Sequence, residues 1–134
     1  MKKMLIISSV FLLAGCASLV DAPKNIMGIS TRDLDEARVH AAAQDLHADL
    51  ADVFSAVVDI AKERKYYIFS KDESRGLIVL MNIPGCVDTT EVGVYLSSLE
   101  GGDVRVEVAS RSTPAQVAVA EHVLADLEVK FKKV

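Results

Sequence analysis

Residues 66–109 read YYIFSKDESRGLIVLMNIPGCVDTTEVGVYLSSLEGGDVRVEVA and contain four short runs of strand-forming residues. Turn signals separate the runs: a polar segment ending at Gly76, then Pro84-Gly85, then Gly101-Gly102. The last run is the clearest, because three valines alternate there with charged residues, as on a half-buried strand. We predict strands at residues 66–69, 77–81, 91–97 and 104–108, joined by short turns into an antiparallel meander.

A helix is predicted before the meander, at residues 33–65. This segment has no glycine or proline, is rich in alanine, and carries apolar residues three and four apart from Leu46 to Ala61. Upstream of Leu46 the apolar stripe thins. Residues 33–45 are therefore either part of one long helix or a separate short helix, and the sequence leaves both possibilities open.

A second helix is predicted after the meander. Thr113 is a suitable N-cap, Pro114 fits the first helical position, and Gln116 completes a capping box. The predicted order is helix, four strands, helix. This order is typical of a two-layer α+β domain, here spanning residues 33–134, in which two helices cover one face of the four-stranded sheet.

The N-terminal residues, MKKMLIISSVFLLAGC, indicate export and lipid attachment. Two lysines precede an apolar run that is too short for a stable spanning helix. The following Leu13-Ala14-Gly15-Cys16 resembles the lipobox of bacterial lipoproteins. We therefore expect residues 1–15 to be a cleaved signal peptide and Cys16 to carry acyl chains, palmitate among them. An ordinary secretory signal or a short membrane anchor is the alternative.

The anchor sets the expected location. Residues 16–32 form the lipidated N-terminus and a short tether, so the domain is held to the membrane through the lipid on Cys16. Ala17 stands where an aspartate would favour retention in the inner membrane of a two-membrane cell. We expect attachment to the outer membrane, facing the periplasm. The net charge of −4, without a basic stripe, argues against nucleic-acid binding.

The layout of residues 52–127 resembles a group of small bacterial lipoproteins of uncharacterised function that have a DUF3568-like domain. The segments that carry the resemblance are Lys65-Tyr66-Tyr67, Ser74-Arg75-Gly76, residues 88–93 (DTTEVG) and residues 100–106 (EGGDVRV). The resemblance implies a compact α+β envelope domain and supplies no catalytic residues. A vaguer likeness, to accessory lipoprotein domains of outer-membrane assembly machines, is kept as an alternative.

The candidate binding cluster outside the helices is Asp88-Thr89-Thr90-Glu91. It could bind a cation or a partner, or it could simply turn the chain between two strands. His40 and His47 are seven residues apart, which on a helix is too far for one metal ion, and His122 lies on the polar side of the last helix. No metal site is therefore predicted.

The second cysteine, Cys86, has no intramolecular partner if Cys16 is acylated. It could be a buried inert thiol, one half of an intermolecular disulfide, or a reactive group.

The sequence contains no P-loop and no GxGxxG, CxxC, GxSxG or SxxK motif. We therefore expect a non-enzymatic lipoprotein without a cofactor, serving as a protein-interaction or scaffold domain for an envelope protein. The alternative is a module that binds a small molecule or lipid in a pocket between the sheet and the helices. The candidate walls of that pocket are Tyr67, Phe69, Tyr95 and Phe131.

Overall fold

A computed structural model describes residues 29–131 of the chain, and side-chain surroundings from residue 32 onward. The helices in this range are α1 (Ile29–Ala37), α2 (Leu50–Glu63) and α3 (Thr113–Phe131). The strands are β1 (Ala42–His47), β2 (Tyr67–Asp72), β3 (Leu77–Met81), β4 (Val92–Ser98) and β5 (Asp103–Ala109).

The strands form one sheet in the order β1-β5-β4-β3-β2, and every neighbouring pair is antiparallel. Strands β2 to β5 are the predicted meander, and the α+β class is confirmed. The predicted count of four strands and two helices was too low, because the described residues contain five strands and three helices. Both additions, α1 and β1, lie within or just before residues 33–65, the segment predicted as helix, in which residues 33–45 were left open as part of one long helix or as a separate short helix.

Strand β1 corrects the prediction of a helix over residues 33–65. Its side chains alternate between more and less exposed positions, with Leu46 buried and Asp45 and His47 exposed. The whole strand pairs with β5, and Arg105 of that strand binds Asp45 at 2.9 Å. Alanine favours a helix only weakly per residue, so pairing with β5 in the sheet outweighs this local preference.

Helix α2 confirms the predicted apolar stripe. Five of the predicted positions are buried: Val53, Phe54, Val57, Ile60 and Ala61. Helix α2 lies over β2 and β4, while α3 lies over β1 and β5, so both cover the same face of the sheet, called here the inner face. The main core is the layer between this face and the two helices.

Helix α1 lies on the opposite, outer face of the sheet, where no helix was predicted. Leu34 is 2% exposed and packs among Leu77, Val79, Tyr95 and Ala109. This second, smaller core makes the domain three layers deep beneath α1. A single buried leucine among charged residues has no periodicity, so the sequence could not indicate this contact.

The start of α3 also differs from the prediction. The Ser112 side chain, not that of Thr113, accepts a hydrogen bond from the Ala115 N–H at 3.4 Å. Gln116 is not part of a capping box. Its side chain accepts from the Ser110 N–H at 3.1 Å and donates to the His40 carbonyl at 2.8 Å. It thereby ties the start of α3 to the segment that follows α1.

Candidate functional site

The predicted lipidation site lies outside the described residues. This holds for Cys16, for the cleavage motif Leu13-Ala14-Gly15 and for the signal peptide and most of the tether, since the structure describes residues 29–131. The anchor therefore remains a prediction from the sequence.

The Asp88-Thr89-Thr90-Glu91 cluster lies in the loop between β3 and β4. The hydrogen bonds within this loop are made by the backbone: the Thr90 N–H donates to the Val87 carbonyl at 2.9 Å, and the Asp88 carbonyl accepts from Asn82 at 3.4 Å. The Glu91 carbonyl accepts from the buried Ser110 hydroxyl at 2.6 Å. These contacts favour the interpretation of the cluster as a turn between two strands.

The three histidines lie in three different places. His40 belongs to a short 3-10 turn and His47 to β1, so they do not share the helix face considered from the sequence. His47 contacts Asp103 at 2.8 Å, and Nδ1 of His122 lies 3.0 Å from the Tyr66 hydroxyl. Within residues 32–131, no three histidine, cysteine or acidic side chains gather to hold a metal ion.

Cys86 is half-buried and packs against the inner core. It lies in the β3–β4 loop, where its N–H donates to the Ile83 carbonyl at 3.0 Å. No second thiol is present among the described residues. Packing against the apolar core favours an inert thiol, since reactive thiols lie in partly exposed surroundings rich in positive charge.

A polar cluster fixes α1 to the outer face. The Tyr95 hydroxyl donates to Asp35 at 2.6 Å, and the Arg38 guanidinium donates to Glu107 at 2.7 and 3.1 Å. The Arg38 guanidinium also lies 4.5 Å from the centre of the Tyr95 ring, in a cation–π contact. Asp35, Arg38, Tyr95 and Glu107 hold the helix in place around the buried Leu34 and are called here the clamp. Sequence reasoning missed the cluster because its members come from four separate elements: α1, the short 3-10 turn after it, β4 and β5.

The clamp perturbs the groups that form it. Burial of the Tyr95 hydroxyl, together with its bond to the Asp35 carboxylate, raises the pKa of Tyr95 well above its ordinary value. The hydrogen bond to Glu107 raises the pKa of Arg38, against the opposing effect of burial. Both shifts favour the protonated groups from which the hydrogen bonds of the clamp are donated.

Two open clefts lie at the surface of the domain, each with a volume of about 430 Å³. One lies beside the Arg64–Asp126 ion pair between the ends of α2 and α3. The other lies beside the Asp33–Arg111 ion pair, between α1 and the start of α3. Each cleft holds one ion pair that is already formed, beside further charged groups: Glu63 and Lys130 in the first cleft and Glu36 in the second.

The predicted pocket walls do not line a common space. Phe131 packs at the margin of the inner core, whereas Tyr95 belongs to the outer core. Tyr67 is opposite Met81 and next to the inward-facing Ile68, so it points to the outer face. The aromatic side chains therefore belong to different surfaces of the domain.

The feature best suited to contact another molecule is strand β2, whose free side is called here the β2 edge (Tyr67–Asp72). Within residues 29–131, β2 pairs only with β3. Tyr67 is 55% exposed and Phe69 is 50% exposed, and Phe69 stands at a β-bulge. Both aromatic residues were predicted to lie in the interior of the domain. The sequence of a strand that contains aromatic residues does not show whether another element covers them.

A comparison with known protein families found no match for this chain. A search of curated proteins found no match either. Within residues 29–131, no helix is both long enough and apolar enough to cross a bilayer.

Proposed function

We propose that this chain is a lipid-anchored protein of the bacterial cell envelope whose domain binds another protein and catalyses no reaction. The anchor is the lipid on Cys16, and the expected position is the outer membrane, facing the periplasm. The observation that carries the binding part of the proposal is the β2 edge, with Tyr67 and Phe69 half-exposed beside backbone that pairs with no other strand of residues 29–131 on this side.

The chemistry of an open strand edge supports this proposal. The backbone N–H and C=O groups along a free edge can pair with an extended segment of another chain, and neighbouring side chains select which segment fits. Aromatic residues are the side chains most enriched in such contacts, because each buries a large apolar area at low entropic cost. Tyr67 and Phe69 offer that area at one place on the domain.

The alternative, a module for a small molecule or lipid between the sheet and the helices, has less support. The inner layer is filled by buried side chains of α2, α3 and all strands except β2. Both clefts lie at the domain surface beside ion pairs that are already formed. The alternative would be favoured over the proposal if envelope lipid extracts shifted the melting temperature of the protein and substitutions in this layer abolished that shift.

The anchor is tested by Cys16→Ser. We expect the variant to leave the membrane fraction while its circular dichroism and thermal unfolding stay unchanged, because Cys16 lies before the folded unit at Asp33–Val134. The matched control is Cys86→Ser, which removes the other cysteine and should stay with the membranes. If the Cys16→Ser protein still fractionates with membranes, the lipid-anchor proposal is wrong.

The binding surface is tested by placing a photoreactive phenylalanine analogue at Tyr67 in the full chain. We expect irradiation of intact envelopes to produce a discrete crosslinked protein band. The same analogue at Val129, which is exposed on α3, serves as the control and should give no such band. Equal crosslinking from both positions, or none from Tyr67, would contradict a binding surface at β2.

A further inference from the structure

We propose that residues 33–39, called here the strap, detach from the outer face while the rest of the domain stays folded, and that the detached strap lengthens the tether. The strap consists of the C-terminal part of α1 and the first two residues of the 3-10 turn after it. This inference rests on the proposed function, because added length matters only in a chain that is held to a membrane.

A single buried side chain holds the strap on the sheet. Leu34 is 2% exposed, and every other residue of the strap is exposed or half-buried. By comparison, α2 buries seven side chains and α3 buries five, all of them in the inner core. The free energy needed to open an element grows with the apolar area that it exposes. The strap therefore opens at lower cost than either inner helix.

The polar contacts of the strap add little resistance to opening. Asp33 is 44% exposed and its partner Arg111 is 73% exposed, and ion pairs between exposed side chains contribute little to stability. Asp35 is exposed and Arg38 is half-buried, so both can bond to water when the strap lifts. The clamp groups of the sheet gain access to water at the same moment. Opening therefore leaves no group of the clamp buried without a partner, which would be the larger cost.

The opening has a defined end at His40. Gln116 donates to the His40 carbonyl at 2.8 Å, which ties the chain at this point to the start of α3. Beyond it, β1 pairs with β5 from Ala42 onward and buries Leu46 in the inner core. Detachment of the strap therefore leaves the five-stranded sheet and the inner core intact.

The detached strap adds length between the anchor and the domain. A helix rises about 1.5 Å per residue, whereas an extended chain spans about 3.3–3.6 Å per residue. Residues 33–39 therefore lengthen by about 13–15 Å when they change from helix to extended chain. Opening also exposes the apolar outer face beneath Leu34, so the closed state predominates and each extension is transient.

Thiol labelling of two neighbouring residues of β3 tests the opening. Leu77 lies on the outer face and packs with Leu34, whereas Ile78 lies on the inner face in the main core. We expect Leu77→Cys, in a Cys86→Ser background, to react with a maleimide at least about tenfold faster than Ile78→Cys, because only the outer residue is uncovered when the strap opens. Glu107→Gln weakens the clamp, so it should raise the Leu77→Cys rate about threefold and leave the Ile78→Cys rate unchanged.

The matched control for this charge change is Asp45→Asn. Asp45 accepts a hydrogen bond from Arg105 at 2.9 Å on the same face of the sheet, but neither residue belongs to the strap. Its loss should therefore leave both labelling rates within about 1.5-fold of their starting values. The rates are measured on the full chain in membranes, and peptide mass spectrometry locates the label, so that a thiol at Cys16 is not counted.

Limited proteolysis tests the same opening without a cysteine substitution. A protease needs its substrate as an extended chain, and its cutting rate follows the population of the open form. We expect brief trypsin treatment of membranes to release a fragment that begins at Val39, cut after Arg38 in the strap. Arg105 lies within β5 and should not be cut at this stage. Glu107→Gln should speed the cut after Arg38 about threefold.

The outcomes separate this proposal from the proposed function. Faster labelling on the outer face than on the inner face, together with the fragment that begins at Val39, supports the strap. Equal labelling on both faces, or equally early cuts after Arg38 and Arg105, overturns it, because opening then occurs only when the whole domain unfolds. Faster outer labelling without the Val39 fragment overturns the lengthening, since the strap then loosens without becoming extended chain. The anchor and the binding surface are tested independently, by Cys16→Ser and by crosslinking from Tyr67.

Discussion

Gly93 in β4 is the position where adding one carbon tests the contact between α1 and the sheet. Of the five glycines in residues 33–131, Gly93 alone has an ordinary φ, so its backbone would accept any side chain. A side chain is excluded at this position because there is no room for it. A Cβ at this position would lie 2.9 Å from the Tyr95 ring and 3.3 Å from Cδ1 of Leu34.

The magnitude for Gly93→Ala follows from these distances. A separation of 2.9 Å is too short for two carbon atoms, so the Tyr95 ring must move, and its bond to Asp35 and its contact with Arg38 move with it. Extra carbon forced into a packed site destabilises by about 1–3 kcal/mol. Alanine is otherwise the better strand residue, because glycine loses more backbone entropy. We therefore expect a net loss of about 1–2 kcal/mol in the free energy of unfolding.

Urea denaturation followed by circular dichroism measures this loss. Ser98→Ala, at the exposed end of the same strand, is the control and should stay within about 0.5 kcal/mol of the parent. Leu34→Ala should by itself cost about 2 kcal/mol, at the low end for a buried leucine because the outer core is small. In the Leu34→Ala background one of the two close contacts is gone, so Gly93→Ala should cost less there than in the parent protein.

Two results would refute this reasoning. If Gly93→Ala is neutral or stabilising, Leu34 and Tyr95 do not fill the space above β4. If the losses from Gly93→Ala and Leu34→Ala simply add, the two positions do not touch, and α1 is not packed on the outer face as described.

Three further predictions concern the clamp and the start of α3. Arg38→Ala should lower the free energy of unfolding by about 1 kcal/mol. This is near the low end for lost hydrogen bonds between charged groups, because the Arg38 side chain is 39% exposed. Glu107→Gln should lose less stability than Arg38→Ala, and urea midpoints compare the two variants. The raised pKa of Tyr95 means that the fold favours the neutral hydroxyl, so this stabilisation is fully present below the unfolded value of about 10 and is lost as the pH rises toward the folded pKa. The tyrosinate absorbance of the parent minus that of Tyr95→Phe should therefore titrate above pH 10, and a difference curve centred at or below 10 would contradict this. Ser112→Ala should cost about 0.5–1 kcal/mol and Thr113→Ala almost nothing, the reverse of what the capping-box pattern predicts, and thermal unfolding distinguishes the two.

The parts of the fold that the sequence predicted correctly are those with a strong local pattern. The stripe of α2 and the alternation of β5 each bury one face, and the turn at Gly101-Gly102 leaves little choice of connection. Such patterns are repeated over several residues, so one exception does not change them.

The parts that were missed depend on contacts between distant residues. Strand β1 is a strand because β5 offers it a ladder some 60 residues away in sequence, and its alanines alone favour a helix. Helix α1 is held on the outer face by the packing of Leu34 and by the Arg38–Glu107 hydrogen bond in the turn that follows it. The neighbouring sequence does not mark any of these three residues as special. The exposure of Tyr67 was missed because a sequence shows that a residue is apolar but not whether anything covers it.

The pairing of β1 with β5 also has a kinetic consequence. Strands β2 to β5 are neighbours in sequence and in the sheet, so they can form hairpin by hairpin as the chain is synthesised. Strand β1 is made first, yet its only strand partner among the described residues is β5, some 60 residues later in the chain. We expect β1 to stay unpaired until β5 has emerged, which makes the pairing of β1 the last step of sheet formation. A chain truncated before residue 103 lacks β5 and therefore keeps an open segment at Ala42–His47, the place where a protease should cut first.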